Sequence, residues 1–270
     1  MREIGLVLSI GIMLGASIGC YRLLEGGLFA AQAAAPISDQ QEISIGQAGV
    51  EQIFAQPENR LYREPQVNAY VSGVGWEMAR QTGRANLPWQ FFLLESPQKN
   101  AFSLPGGMVF VTTGILRSMD NRAQLAGVLG HEAGHIGARH GIAELKRALL
   151  ARGILISALG DTPLAGQIAG QLAAELVLRG YGRQAEFEAD ELGASYSSKA
   201  NYDPRQLEIF LRDLAQGGEP PAWLSPLETH PPIQERIERL EKFIQKKHLG
   251  GSRVEAIPFK AAMAPLGKND

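Results

Sequence analysis

Cysteine is almost absent from this sequence of 270 residues, in which Cys20 is the only one. A single thiol excludes an internal disulfide and any zinc site built on cysteines. An excess of charge of one sign is also lacking, because 26 basic and 28 acidic side chains leave a net charge of −2. This balance, with a sequence pI near 6.2, excludes a chain built around a basic nucleic-acid surface, so no nucleic-acid partner is expected.

Long apolar runs are scarce, which excludes a protein with several membrane spans. Hydrophobic residues make up 45% of the chain and charged residues 20%. These proportions are typical of a globular protein and exclude a largely disordered one. The length predicts one or two domains.

The long apolar run at residues 4–20 follows Arg2 and predicts an exported protein. Three interpretations of residues 1–35 stay open. A signal peptidase cuts near Ala33 or Ala35, Cys20 is the lipidated first residue of a bacterial lipoprotein, or the segment is an uncleaved anchor helix. All three place the body of the protein outside the cytoplasm, either in the periplasm or attached to a membrane and facing the periplasm.

The rest of the chain predicts an α+β domain over residues 36–249, mainly helical, with a small antiparallel or mixed sheet. A loose tail is expected over 250–270. The apolar helices at 143–159 and 164–179 form either buried core or a hairpin that faces a membrane or a substrate. The other predicted helices are 37–57, 64–82, 120–140, 183–199, 204–216 and 233–247, and the predicted strands are 89–94, 100–104 and 108–113.

The run His131-Glu132-Ala133-Gly134-His135 is an HExxH motif. Two histidines four residues apart lie on one face of a helix, where both imidazoles can bind one metal ion. Glu132 projects beside them and can contact a metal-bound water. Histidine nitrogens suit zinc, and three protein ligands with one water form the usual catalytic arrangement. We therefore expect one Zn²⁺ per chain.

A third ligand is expected from the helical stretch 183–199. Glu186 and Asp190 are four residues apart and share a face of this helix. One can supply a ligand carboxylate, and the other can orient a ligand histidine. Glu188, two residues after Glu186, points elsewhere on the helix. His140, five residues after His135, lies off the metal face and is expected at the surface.

Four motifs in one order resemble the HtpX- and BepA-like zinc metallopeptidases, relatives of the type 1 CAAX prenyl endopeptidase within the gluzincins. The resemblance covers roughly residues 40–247 and implies a zincin-like domain in a short, single-domain form like the lipoprotein members. The motifs are Asn100-Ala101-Phe102 with Leu104-Pro105-Gly106-Gly107, HEAGH at 131–135, EFEAD at 186–190 followed by Gly193, and Thr229-His230-Pro231-Pro232 before Glu235-Arg236-Ile237.

The resemblance also implies a set of site residues. It gives three zinc ligands, a general base, a carboxylate that orients a ligand histidine, and a histidine near the metal that stabilises the oxyanion or caps the zinc in a resting state. Gly182 stands where family members often have serine, which leaves any role of Arg183 open. In this sequence the implied residues are His131, His135 and Glu186 as ligands, Glu132 as base, Asp190 as orienting carboxylate and His230 as the additional histidine.

The expected activity is hydrolysis of peptide bonds in unfolded or misassembled envelope proteins, a form of protein quality control. If strand 108–113 lies at a sheet edge, an extended polypeptide can pair with it, which makes Met108, Val109, Phe110 and Val111 candidate substrate-binding residues. Membrane association is expected through the N-terminal segment. Two alternatives are a latent or chaperone-like assembly factor with a closed zinc site, in which His230 is the fourth ligand, and a structural envelope lipoprotein without metal.

Overall fold

The structure is a computed structural model that describes residues 36–151, 163–216 and 232–267. The predictions for the N-terminal segment with Cys20, for the end of helix 143–159 and for His230 fall outside these ranges. Within them the chain is mainly helical with one small sheet, so the predicted α+β class is confirmed.

The elements follow the predicted order closely. The strands are β1 Gln90–Leu94, β2 Ala101–Leu104 and β3 Met108–Thr112. The helices are α1 Asp39–Phe54, α2 Pro65–Ala79, α3 Thr113–Arg117, α4 Arg122–Gly137, α5 His140–Ala151, α6 Pro163–Arg179, α7 Arg183–Lys199, α8 Arg205–Gln216, α9 Ile233–Lys246 and α10 Ala256–Met263.

The three strands form a mixed sheet in the order β1-β3-β2. β3 pairs with β1 in parallel and with β2 in antiparallel fashion. Phe110 lies between Phe92 and Phe102 in this register, and its ring centroid is 4.8 Å and 4.7 Å from theirs. These stacked rings fix the alignment of the strands, because cross-strand aromatic pairs stabilise one register over its neighbours.

The edge position on which substrate binding by strand 108–113 depended is not found, and the strand is an interior one. β3 is the central strand, so its backbone is paired on both sides and no substrate can be added to it. The side chains of Met108, Val109, Phe110 and Val111 are buried in the core instead of facing a substrate. A run of consecutive apolar residues without alternation is typical of a strand buried on both faces, which explains the result.

Helix α4 carries the HExxH motif and is buried along its length. The side chain of Asn121 accepts a hydrogen bond from the backbone N–H of Gln124 and caps the start of the helix. Every residue from 123 to 136 is buried, because α4 packs against α2, α7, α8 and β2. The HExxH side chains therefore lie inside the protein.

Glycines bring α4 and α7 into close contact. A Cβ atom added to Gly193 would lie 2.8 Å from the backbone nitrogen of His131, and one added to Gly134 would lie 3.2 Å from the Cα atom of Ala189. Larger side chains at these positions would push the helices apart. The close approach places the acidic face of α7 directly against the HExxH face of α4.

Helix α6 packs on α1 and contacts β2, and α5 packs on α6, in a second hydrophobic cluster. One apolar face of each helix is therefore core, as the buried-core interpretation expects, whereas Ile168 of α6 is exposed. Over the described ranges, every helix is too short or too polar to cross a membrane. The buried residues of the two helices are Ile142, Leu145, Leu149, Ala169, Leu172, Ala173 and Ala174.

The prediction of a loose tail from residue 250 is wrong for residues 250–267. Helix α10 follows Glu255, and Phe259, Met263 and Leu266 are buried in the main core. The guanidinium of Arg117 donates hydrogen bonds to the backbone oxygen of Leu266. Apolar residues three or four positions apart anchor this segment, although the sequence between them has no sustained periodicity.

Candidate metal centre

The three predicted ligands meet in the interior, at the contact between α4 and α7. The Nε2 atoms of His131 and His135 are 3.0 Å apart. The carboxylate oxygens of Glu186 lie 3.7 Å from Nε2 of His131 and 3.6 Å from Nε2 of His135. One ligand atom from each residue therefore fits within 4.8 Å of the others.

Asp190 contacts His131 from the side opposite Glu186. Its Oδ1 atom is 2.9 Å from Nδ1 of His131. An ionised carboxylate only accepts hydrogen bonds, so Nδ1 carries the proton and the lone pair of Nε2 faces Glu186. The structure thus places Asp190 where an orienting carboxylate is expected.

Arg236 of α9 is paired with Asp190 although it is buried almost completely. Its Nε atom is 2.8 Å from Oδ2 of Asp190 and its Nη2 atom is 2.7 Å from Oδ1. Its Nη1 atom also lies 3.2 Å from Glu186. Burial raises the pKa of Asp190, but Arg236 and His131 outweigh that effect and bring the pKa down to about 2. Asp190 is therefore ionised at neutral pH.

Sequence reasoning gave no role to Arg236. Its position held a usable indication, because Arg236, Leu240 and Ile244 are four residues apart and share the buried face of α9. A charged residue on the apolar face of an amphipathic helix requires a buried partner. Here that partner is the carboxylate that holds a candidate ligand.

His140 is not a surface residue, contrary to the prediction. Its Nδ1 atom is 2.9 Å from Nδ1 of His135, and its Nε2 atom is 3.3 Å from Oε2 of Glu188. The prediction extended one helix through residue 140, whereas α4 ends at Gly137 and Arg139 adopts a left-handed conformation with φ of 59°. This turn brings His140 back against His135. Burial lowers the pKa of His140, although Glu188 raises it.

Glu132 lies beside the two histidines and is buried. The hydroxyl of Ser103 in β2 donates a hydrogen bond of 3.3 Å to the backbone oxygen of Glu132. In the protein without a bound cation, burial raises the pKa of Glu132 to about 7. A carboxylate in this range can both take up and release a proton near neutral pH.

Tyr181 covers His135, a contact that sequence reasoning missed. The two ring centroids are 4.1 Å apart at an angle of 25° between the ring planes. The hydroxyl of Tyr181 donates a hydrogen bond of 3.0 Å to the backbone oxygen of Ser103. Tyr181 stands between Gly180 and Gly182, just before α7. No helical periodicity in the sequence therefore indicates its contact with His135.

Strand β2 contacts α4 and pairs with β3 on one side. Thr112 N donates to Asn100 O across the β2–β3 pair, and alternate residues of an antiparallel strand direct their backbone groups to opposite sides. Ala101 and Ser103 therefore point theirs away from β3. Among the described residues, β2 is an edge strand of the sheet, and the Tyr181 hydroxyl occupies the Ser103 oxygen there.

The donor set fits a zinc ion. Two imidazole nitrogens and a carboxylate converge, and all three residues are buried. Nitrogen and oxygen donors in this number suit zinc and leave room for a fourth ligand. Lone pairs and a negative charge so close together favour a bound cation.

Comparison with known proteins agrees with this arrangement. Residues 65–244 match Peptidase family M48. The mitochondrial metalloendopeptidase OMA1 of Schizosaccharomyces pombe is 34% identical over 179 residues, which are 65% of this chain and 52% of that protein. The beta-barrel assembly-enhancing protease of Yersinia pestis is 30% identical over 223 residues, which are 76% of this chain and 44% of that protein.

The chain spans about half the length of these curated relatives. The matched range includes Glu132, the three candidate ligands, Asp190 and Arg236, and it covers well over half of this chain. The chain therefore belongs to peptidase family M48.

Proposed function

We propose that this protein is a zinc-dependent endopeptidase. The observation that carries the proposal is the convergence of His131, His135 and Glu186 within 4.8 Å, beside Glu132, in a member of peptidase family M48. The three convergent residues hold the zinc ion. A bound zinc ion supplies Lewis acidity, which acidifies water and polarises a carbonyl group.

Glu132 is the proposed general base. Its carboxylate takes a proton from the attacking water and then delivers it to the leaving amine of the cleaved peptide bond. The position of Glu132 next to the candidate ligand His131 supports this role, because a general base must lie within reach of the proton it takes. His230 is proposed to stabilise the oxyanion or to cap the zinc at rest.

Asp190 is the proposed orienting group for His131. The Arg236 guanidinium keeps Asp190 ionised, and the carboxylate in turn holds the proton on Nδ1 of His131. This arrangement directs Nε2 toward the site before any metal binds. Preorganisation of this kind increases metal affinity, since ligands that are already oriented lose less freedom on binding.

An extended segment of polypeptide is the proposed substrate, and β2 replaces β3 as its docking strand. Backbone groups of Ala101 and Ser103 point away from β3, so a substrate strand that reaches this edge can form hydrogen bonds there. The hydroxyl of Tyr181 must leave the oxygen of Ser103 before a substrate N–H can donate to it. Recognition through the backbone accepts many sequences but requires an unfolded or extended segment.

We propose more specifically that the protein acts in quality control of envelope proteins. The name of the Yersinia pestis relative connects that protein to β-barrel assembly, and the apolar N-terminal run of this chain suits export. We therefore propose unfolded or misassembled envelope proteins as substrates. The proposed location is the periplasm or a membrane facing it, reached by cleavage near Ala35 or by lipidation of Cys20.

A second candidate is a latent or chaperone-like factor with a closed zinc site. The burial of His131, Glu132 and His135, with the ring of Tyr181 over His135, favours it. A closed site binds zinc but excludes water and substrate, whereas catalysis needs an open coordination position.

Digestion of unfolded casein by the full-length zinc-loaded protein tests the proposed function. We expect cleavage that stops when a chelator is added and that is absent in Glu132→Gln, although this variant keeps its zinc. Full activity in Glu132→Gln would contradict the assignment of the base. A wild-type protein that binds zinc and cleaves nothing would favour the closed-site factor.

A further inference from the structure

The contacts of His140 are those of a second group that orients a candidate ligand. His140 contacts His135 as Asp190 contacts His131. We propose that His140, backed by Glu188, is a positioning residue that holds His135 in the tautomer and orientation in which its Nε2 atom faces the metal site. The inference rests on the proposed function, because it assumes that His135 binds zinc.

The contacts run from Glu188 through His140 to His135, and the direction of each hydrogen bond follows from Glu188. Glu188 is a carboxylate and only accepts, so Nε2 of His140 carries the proton that points to it. In a neutral imidazole the other nitrogen is then an acceptor, and Nδ1 of His140 accepts from Nδ1–H of His135. The Nε2 lone pair of His135 then faces the candidate site, where Nε2 of His131 is 3.0 Å and Glu186 is 3.6 Å away.

The two ligand histidines thus have matching supports that differ in strength. His131 donates to Asp190, which is buried and paired with Arg236. His135 donates to His140, whose support is the carboxylate of Glu188, a side chain that is 54% exposed. Water competes for an exposed carboxylate, so Glu188 contributes less than Asp190 does.

The turn between α4 and α5 brings His140 against His135, and its backbone conformation is an unusual one. Arg139 adopts a left-handed backbone conformation, which is uncommon and costs energy for a residue other than glycine. Without this turn, a residue five positions after His135 lies on another face of the helix. The turn places the His140 ring centroid 5.0 Å from that of His135.

Zinc affinity of the full-length protein, measured by competition with a coloured chelator, tests the proposal. We expect His140→Leu to weaken zinc binding by about 10- to 100-fold and Glu188→Ala by about two- to fivefold. His140→Asn should bind within about threefold of wild type, because its Oδ1 atom can take the place of Nδ1 as acceptor. In the His140→Asn background, Glu188→Ala should have no further effect.

The exposed His248 gives the matched control, since His248→Ala removes a histidine in the turn after α9 and should bind zinc like wild type. The melting temperature of each metal-free variant shows whether it folds. If His140→Leu does not fold, nitrogen-15 shifts of the wild-type zinc complex decide the question. An unprotonated Nδ1 on His140 that accepts from Nδ1–H of His135 supports the proposal, and a protonated Nδ1 on His140 overturns it.

The proposal and the proposed function fail in different ways. Wild-type protein that binds no zinc contradicts both. Wild-type protein that binds zinc tightly, with a folded His140→Leu that binds it equally well, contradicts only the role of His140.

Discussion

The ion pair between Asp190 and Arg236 is the buried support of His131. Both side chains are almost completely excluded from solvent, and two hydrogen bonds of 2.8 Å and 2.7 Å join them. A buried charge that loses its partner is costly, because the remaining charge keeps its desolvation penalty. The pair therefore links the stability of the fold to the geometry of the candidate metal centre.

Asp190→Asn should lower both the stability of the fold and the affinity for zinc. We expect the free energy of unfolding of the metal-free protein to fall by about 3–5 kcal/mol and zinc affinity to fall by about 10- to 100-fold. Urea denaturation and chelator competition measure the two effects. The exposed Asp213 provides the control, since Asp213→Asn should change stability by no more than about 0.5 kcal/mol. An Asp190→Asn variant with wild-type affinity would contradict the proposed role.

Tyr181→Phe should increase cleavage of an unfolded substrate. The change removes the hydroxyl that occupies the Ser103 oxygen and keeps the ring on His135. A neutral hydrogen bond contributes about 0.5–1.5 kcal/mol, so kcat/KM should rise about two- to tenfold. Tyr62→Phe is the matched control, because the Tyr62 hydroxyl donates to the backbone oxygen of Pro265, away from the site. A decrease in kcat/KM would instead assign the Tyr181 hydroxyl to the reaction.

Single site residues could be predicted from the sequence where their spacing along one helix determined which face they share. The sequence placed His131 with His135, and Glu186 with Asp190, because residues four apart share a helical face. The contacts of His140, the first residue of α5, and of Tyr181, just before α7, were missed because a turn and not a helical period directs each side chain. The only indication for Arg236 was its position as a charged residue on the apolar face of α9.

At the scale of elements, the contact between α4 and α7 determines the site. The two helices carry all three candidate ligands, and Gly193 lies against the backbone of His131. The distance between the helices therefore sets the distance from Glu186 to the imidazoles.

Gly193→Ala should separate these helices. The added Cβ atom would meet the backbone nitrogen of His131 at 2.8 Å, so we expect a loss of stability of about 1–3 kcal/mol and weaker zinc binding. Thermal unfolding and chelator competition provide the measurements. Gly73 in α2 has open space around its Cα atom, so Gly73→Ala should stabilise the protein by about 0.5–1 kcal/mol. Equal effects of the two changes would contradict the account of the helix contact.

Element types were largely predictable, whereas the neighbours of each element were not. The β-prone run of β3 predicts a strand, but a central and an edge position differ only in what lies beside it. Its continuous apolar character, without alternation, was the available indication of a central strand. Helix α5 was predicted to begin three residues late, because the turn at Arg139 does not appear in the hydrophobic pattern.

At the scale of the whole molecule, the chain extends beyond the M48 match at both ends. Helix α1 packs on α6 and the sheet, and the segment 250–267 packs on the main core. The C-terminal segment looked loose because its apolar residues follow no sustained periodicity. Phe259 and Leu266 are nevertheless buried, and such long-range packing depends on a surface that the local sequence does not describe.

Zinc content of the purified full-length protein tests the central claim most directly. The account predicts one zinc ion per chain in wild type and in Glu191→Ala, which removes a carboxylate of α7 that pairs with Arg239 and not with the site. It predicts loss of most of the zinc in Glu186→Ala. Wild-type protein without zinc, or a folded Glu186→Ala that retains a full equivalent, would contradict the account.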